Sequence, residues 1–130
     1  MIGLDTNVLV RYIAQDEPEQ SRIAARLVEG LTVDAPGFIS TVTLVETVWV
    51  LTRAYKAKKP QVVEIIEGLL RSRELVVQDA EIHYLALRSF QASSSGYADA
   101  VIDQAGKSAG CRDTVTFDKR AAAAGMRLLA

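Results

Sequence analysis

One cysteine, one histidine, one tryptophan and three prolines are all that this 130-residue chain holds of those residue types. Cys111 has no partner within the chain, which excludes an intramolecular disulfide framework and zinc sites of the CxxC type. His83 stands alone, so mechanisms built on a histidine pair are excluded, and partial burial on its helix is its expected role. No apolar run approaches the ~18 residues of a membrane span. Met1-Ile2-Gly3-Leu4 meets Asp5 without the basic start of a signal peptide, so a cytoplasmic location is expected. Charge of one sign is also missing: 15 Lys plus Arg face 16 Asp plus Glu, for a net charge of −1. That balance argues against a protein coated in positive charge and leaves local patches open. Disorder is excluded as well, because 49% of the residues are hydrophobic and the net charge is small. At this length a single domain spanning residues 1–130 is expected.

What is present is an alternation of short apolar runs with longer amphipathic stretches. Ile2-Gly3-Leu4, Phe38-Ile39, Leu75-Val76-Val77, Thr114 to Phe117 and Met126 to Leu129 read as strands. Between them, Pro18 and Pro60 fall where helices open, and Gly30 and Gly110 where helices close. The spacing places Ile23, Leu27 and Leu31 on one helix face, and Val62, Val63, Ile66, Leu69 and Leu70 on another. A helix capped by Thr41 or Thr43 is predicted to about Lys56, and one over 80–92 with Ile82, Leu85, Ala86 and Ser89 along one side. Strands alternating with helices imply an α/β fold, a mostly parallel sheet of four to five short strands covered by helices on both faces. Such sheets bind ligands beyond the carboxyl ends of their strands.

Acids are placed where that rule looks. Asp5 and Asp118 each follow a predicted strand immediately, a position that suits helix capping and ligand binding alike. Glu46 is the only charge between Ala35 and Thr52, in a helix so apolar that burial is expected. A buried carboxylate must find a cation, bind a metal or take up a proton. Asp99 and Asp103, four residues apart, share a helix face, and Asp99 lies in the first turn, where the helix dipole favours an anion. Carboxylates converging in one cleft repel one another unless a cation is present. With no His or Cys cluster the donors are hard oxygens, which suit Mg²⁺ or Mn²⁺. Phosphodiester hydrolysis is the natural reaction class, and a phosphatase or phosphotransfer site fits the same pattern. Arg53, Lys56, Lys58 and Lys59 add a local charge of +4 around Tyr55, either an RNA-backbone patch with a stacking ring or a solvated helix end. Arg11, Lys119 and Arg120 lie near the presumed rim and are further phosphate contacts in this reading.

Asp5-Thr6-Asn7, the lone Glu46 in a Trp-containing helix, Tyr97-Ala98-Asp99-Ala100 and Thr116-Phe117-Asp118-Lys119 together resemble the PIN-domain ribonucleases, most closely the VapC toxins of bacterial type II toxin–antitoxin pairs. The order and spacing of the four motifs carry the resemblance, which spans essentially the whole chain. It implies a three-layer α/β/α sandwich and an endoribonuclease dependent on Mg²⁺ or Mn²⁺. It also implies a homodimer and a cognate antitoxin that blocks the site. By position, Asp5, Glu46, Asp99 and Asp118 match the catalytic, metal-binding acidic quartet, and Thr6, Asn7 and Thr116 match polar positions that support it. Asp103 occupies a position that is often small and apolar in these toxins. The competing readings are a PIN-like module that binds RNA or protein without cleaving, and a metal-dependent phosphatase. The second would need a DxD motif after the first strand, which is absent. Setting the four acids aside from the sixteen leaves twelve against fifteen bases, a remainder compatible with an RNA enzyme.

Overall fold

Five short strands and seven helices follow one another in a computed structural model that describes all of residues 1–130. They form two compact units, Met1–Gln78 and Asp79–Ala130. All strand pairings are parallel, as the alternation of elements requires. No helix is long and apolar enough to cross a membrane.

In the first unit the elements are β1 (Ile2–Gly3), α1 (Thr6–Ala14), α2 (Pro18–Glu29), β2 (Gly37–Ile39), α3 (Thr41–Arg53), α4 (Lys59–Arg71) and β3 (Leu75–Val77). The sheet order is β1-β2-β3, with Gly3 opposite Phe38 and Phe38 opposite Val76. Gly37 is closely packed: a Cβ there would stand 2.9 Å from Leu31 Cδ1 and 3.0 Å from Leu4 Cδ1, so those side-chain ends would have to shift. Helices start where a side chain can satisfy free N–H groups. Asp5 caps α1 and Glu17 caps α2 ahead of Pro18. Ser40 caps α3, accepting from Thr43 N at 3.1 Å. The cap thus falls just before the predicted threonines, because Ser40, directly after β2, has the extended backbone a cap needs. The helix also ends at Arg53, and Lys56 lies beyond it in the left-handed region (φ 58°). Leu9, Ile39, Leu44, Val62 and Ile66 are among the side chains buried here.

Two faces in this unit differ from expectation. Ile23 (61% exposed) and Leu27 (38%) of α2 face outward, whereas the small Ser21 and Ala24 are buried. Small residues let helices approach closely, and α1 packs against α2. Helix α3 is not buried around its circumference. Leu44, Thr47, Val48 and Leu51 form one buried stripe, while Val42, Glu46 and Trp49 are exposed. A helix that meets its neighbours along one side buries only that side, however apolar the rest.

The second unit holds α5 (Ala80–Ala92), α6 (Tyr97–Ser108), β4 (Val115–Thr116), α7 (Lys119–Ala123) and β5 (Arg127–Leu128). The β4–β5 pair forms a two-stranded parallel sheet, so the five strands divide into a three-stranded and a two-stranded sheet. Helix α5 packs on α6 through His83, Ala86, Leu87 and Phe90, a stripe rotated from the predicted one, and Leu85 is exposed. His83 is fully buried, with Nδ1 2.7 Å from the Tyr97 hydroxyl, and Phe90 meets the Tyr97 ring edge-on at 5.8 Å. Burial lowers the His83 pKa, opposed by the charge of Asp79, and burial raises that of Tyr97. The neutral ring therefore accepts and the phenol donates. Gly110 ends α6 at φ 95°, as its type allows, and Cys111 beyond it is exposed.

Candidate active site

Asp5 is placed by the first strand and used by the first helix. Its backbone is extended (φ −85°, ψ 163°), and Oδ1 accepts from Thr6 N at 2.8 Å. Capping uses one carboxylate oxygen and leaves the other available. Thr6 then turns inward, only 8% exposed, and its hydroxyl donates to Glu46 Oε1 across 40 residues of sequence. Thr6 thus joins the β1–α1 turn to α3 through both its backbone and its side chain, taking one oxygen of each carboxylate. Asp5, Thr6, Asn7, Arg11, Glu46 and Tyr55 line one open cleft of about 670 Å³ within the first unit.

The same cleft holds a cluster around Arg11. Arg11 Nε donates to Gln20 Oε1 at 2.8 Å, and Nη1 donates to the Tyr55 hydroxyl at 3.3 Å. Tyr55 donates in turn to Asp16 Oδ2 at 2.7 Å, and Asp16 Oδ1 lies 3.6 Å from Arg11 Nη1. The hydrogen bond from Tyr55 lowers the Asp16 pKa, and the same bond raises that of Tyr55. Asp16 and Gln20 escape sequence reasoning altogether, since no local pattern links Asp16 to a tyrosine 39 residues away or Gln20 to Arg11 on the preceding helix. Of the predicted basic patch, Tyr55 lines the cleft, Arg53 lies over the Trp49 ring at 5.5 Å, Lys56 is exposed, and Lys58 opens α4 with its N–H on Gln61 Oε1. Lys59 is half-buried in the first turn of α4.

In the second unit Asp99 sits half-buried in the first turn of α6, after Gly96. Asp103, one turn on, is buried, with Oδ2 3.1 Å from Lys107 Nζ. That contact compensates charge but lacks hydrogen-bond geometry, so the oxygen has no directed partner. Gly125 closes over it: at φ 132° a Cβ would come within 3.3 Å of Asp103 Oδ2. Asp118 caps α7, its Oδ1 accepting from Arg120 N at 2.8 Å, while its own N–H donates to Thr116 Oγ1 at 3.0 Å. Arg120 donates through Nη2 to the Ser94 carbonyl at 2.9 Å and so braces residues 93–96 between α5 and α6, while Lys119 is exposed.

No group of three or more His, Cys, Asp or Glu side chains is disposed to hold a metal ion. The Asp5–Glu46 pair nevertheless fits a hard divalent cation of the Mg²⁺ type. Such an ion is held through one or two carboxylates and keeps several waters, and each carboxylate here has one oxygen outside its hydrogen bond to Thr6. A phosphate-bearing substrate would supply further oxygens.

No curated protein matches the chain. Among solved structures it is similar to the Mycobacterium tuberculosis toxin VapC20, described as cleaving the sarcin–ricin loop, at 19% identity over 99% of this chain and 98% of that one, with a TM-score of 0.46. The family profile of the PIN domain matches residues 2–125, from β1 into the turn after α7. The chain therefore belongs to the PIN domain family.

Proposed function

We propose that the chain is a metal-dependent endoribonuclease, the toxin of a bacterial type II toxin–antitoxin pair of the VapC kind. The observation that carries the reading is the Thr6 link, which brings Asp5 and Glu46 to one cleft in a member of the PIN domain family. The family match supports treating residues 1–130 as one nuclease domain, since it runs through both compact units. Asp99 and Asp118 complete the acidic quartet by their positions in the motifs Tyr97-Ala98-Asp99-Ala100 and Thr116-Phe117-Asp118-Lys119. The proposed setting is cytoplasmic, with an RNA substrate, a cognate antitoxin and a second copy as partners.

Asp5 and Glu46 would hold Mg²⁺ or Mn²⁺, with Asp99 and Asp118 assigned to the same task. When bound, the ion supplies Lewis-acid polarisation of a phosphoryl oxygen and lowers the pKa of a coordinated water. The chain's own groups do the positioning. Thr6 keeps the Glu46 carboxylate from rotating freely, and the Asp5 cap fixes that carboxylate relative to α1. Thr116 holds the backbone of Asp118 so that its side chain reaches Arg120 N. The deciding experiment is cleavage of RNA by purified protein with Mg²⁺, with Mn²⁺ and with chelator, beside Asp5→Asn. Metal-dependent cuts that the substitution nearly abolishes are expected. RNA left equally intact by both proteins under every metal would replace the nuclease by a binding module. Phosphate release from phosphomonoesters would point to a phosphatase.

A further inference from the structure

Arg11 lines the cleft that contains Asp5 and Glu46, yet its ion pair is with Asp16. An arginine that shares a cleft with two carboxylates is attracted to them, as opposite charges are. Here the guanidinium is held by three other groups: Gln20 on Nε, and the Tyr55 hydroxyl and Asp16 on Nη1. One half-exposed ion pair would restrain it weakly, but a closed ring of Arg11, Tyr55 and Asp16 with a further bond from Gln20 confines it. Tyr55 is satisfied in both senses, accepting from Arg11 and donating to Asp16. The bond between Tyr55 and Asp16 holds the carboxyl ionised and the phenol protonated, so the ring keeps this pattern at neutral pH. Guanidinium carries five N–H donors, and these contacts leave both donors of Nη2 free.

We infer that Asp16, Gln20 and Tyr55 form a clasp that keeps Arg11 off Asp5 and Glu46 and presents it to a backbone phosphate of single-stranded RNA in the same cleft. This deepens the nuclease reading and rests on it. The clasp has two consequences. It leaves the acid pair free for a cation, and it puts the fixed positive charge of Arg11 in a cleft that otherwise repels a phosphodiester. Arg11 is the phosphate-holding residue, and Asp16, Gln20 and Tyr55 are positioning residues that act through it.

The test measures cleavage in Mg²⁺ and, separately, binding of a short fluorescent single-stranded RNA to the metal-free protein across a salt series. Arg11→Ala is expected to weaken RNA binding and raise KM roughly tenfold, the worth of one charge-assisted hydrogen bond, while kcat changes little. Its slope of log affinity on log salt should fall by about 0.7, the contribution of one phosphate contact on a single strand. Arg11→Lys should recover part of the affinity and all of the salt slope. Tyr55→Phe and Asp16→Asn should raise KM by smaller factors while melting near the wild type, a split that a merely structural role would not produce. Wild-type KM and salt slope in Arg11→Ala, or a loss confined to kcat, overturns the inference and leaves the nuclease reading standing. A wild type that binds RNA with the expected Arg11 dependence but never cleaves supports the clasp and overturns the nuclease. A wild type that neither binds nor cleaves overturns both.

Discussion

Asp5 and Asp118 obey one local rule and end in different surroundings. Each follows a two-residue strand with one residue between, each adopts an extended backbone, and each offers Oδ1 to an N–H of the helix it precedes. The first is joined through the buried Thr6 to Glu46 on α3 and opens onto a cleft. The second is tied to its near neighbours Thr116 and Arg120 and caps a helix of only five residues. Capping is therefore a shared framework rather than a mark of function. What distinguishes Asp5 in this structure is the long-range partner that its neighbour brings.

The sharpest way to test that contrast separates capping from chemistry. Asparagine caps a helix about as well as aspartate, so Asp5→Asn should leave the melting temperature nearly unchanged while RNA cleavage falls by about a hundredfold or more. A parallel loss of stability would mean that the cap, not the charge, was removed. Next in size is Thr6→Val, which keeps the shape but frees Glu46; cleavage should fall roughly tenfold or more, as for other groups that orient metal ligands. Thr116→Val, losing only a bond to the Asp118 N–H, should cost clearly less, and equal losses would erase the distinction drawn between the two acids.

Two smaller effects concern stability in the second unit. Gly125→Ala places a Cβ at φ 132° and 3.3 Å from Asp103 Oδ2, so urea unfolding should show a loss of about 1–3 kcal/mol. Relief of that loss in Gly125→Ala with Asp103→Ala would locate the strain at this contact. His83 is buried in neutral form, its pKa lowered from 6.5 by burial. The unfolded chain then binds the proton more readily than the folded one, so His83 contributes stability above pH 6.5 that is lost as pH falls below it. Thermal melts between about pH 8 and pH 5 should show this decline, and His83→Gln should flatten it.

The legible parts of the molecule are those that short-range rules decide. The start of α2 at Pro18 and the end of α6 at Gly110 follow from residues whose backbone preferences act locally. The motifs around them single out the four acids in the sequence, and the structure places two of these, Asp5 and Glu46, on one cleft. Side-chain exposure was less so. Ile23 and Leu27 keep a helical apolar face, yet the structure docks α2 through Ser21 and Ala24. Periodicity shows that a stripe exists; it does not say whether a neighbour covers it. His83 looked unremarkable alone and proved fully buried because Tyr97, on the next helix, answers its ring nitrogen.

A chain with one cysteine and one histidine has no His or Cys cluster to ligate a metal, and that much the amino-acid sequence determined by itself. It also determined the alternation of strands and helices, and hence parallel pairing, because crossover helices separate successive strands. Only the tertiary structure decided that Thr6 reaches Glu46 and that Arg11 is held by Asp16, Gln20 and Tyr55. Thr6 and Glu46 lie 40 residues apart, as Asp16 and Tyr55 lie 39 apart. Local preference acts over a few residues, whereas such partners are chosen by which helix faces pack together, here α1 against α2 and α3.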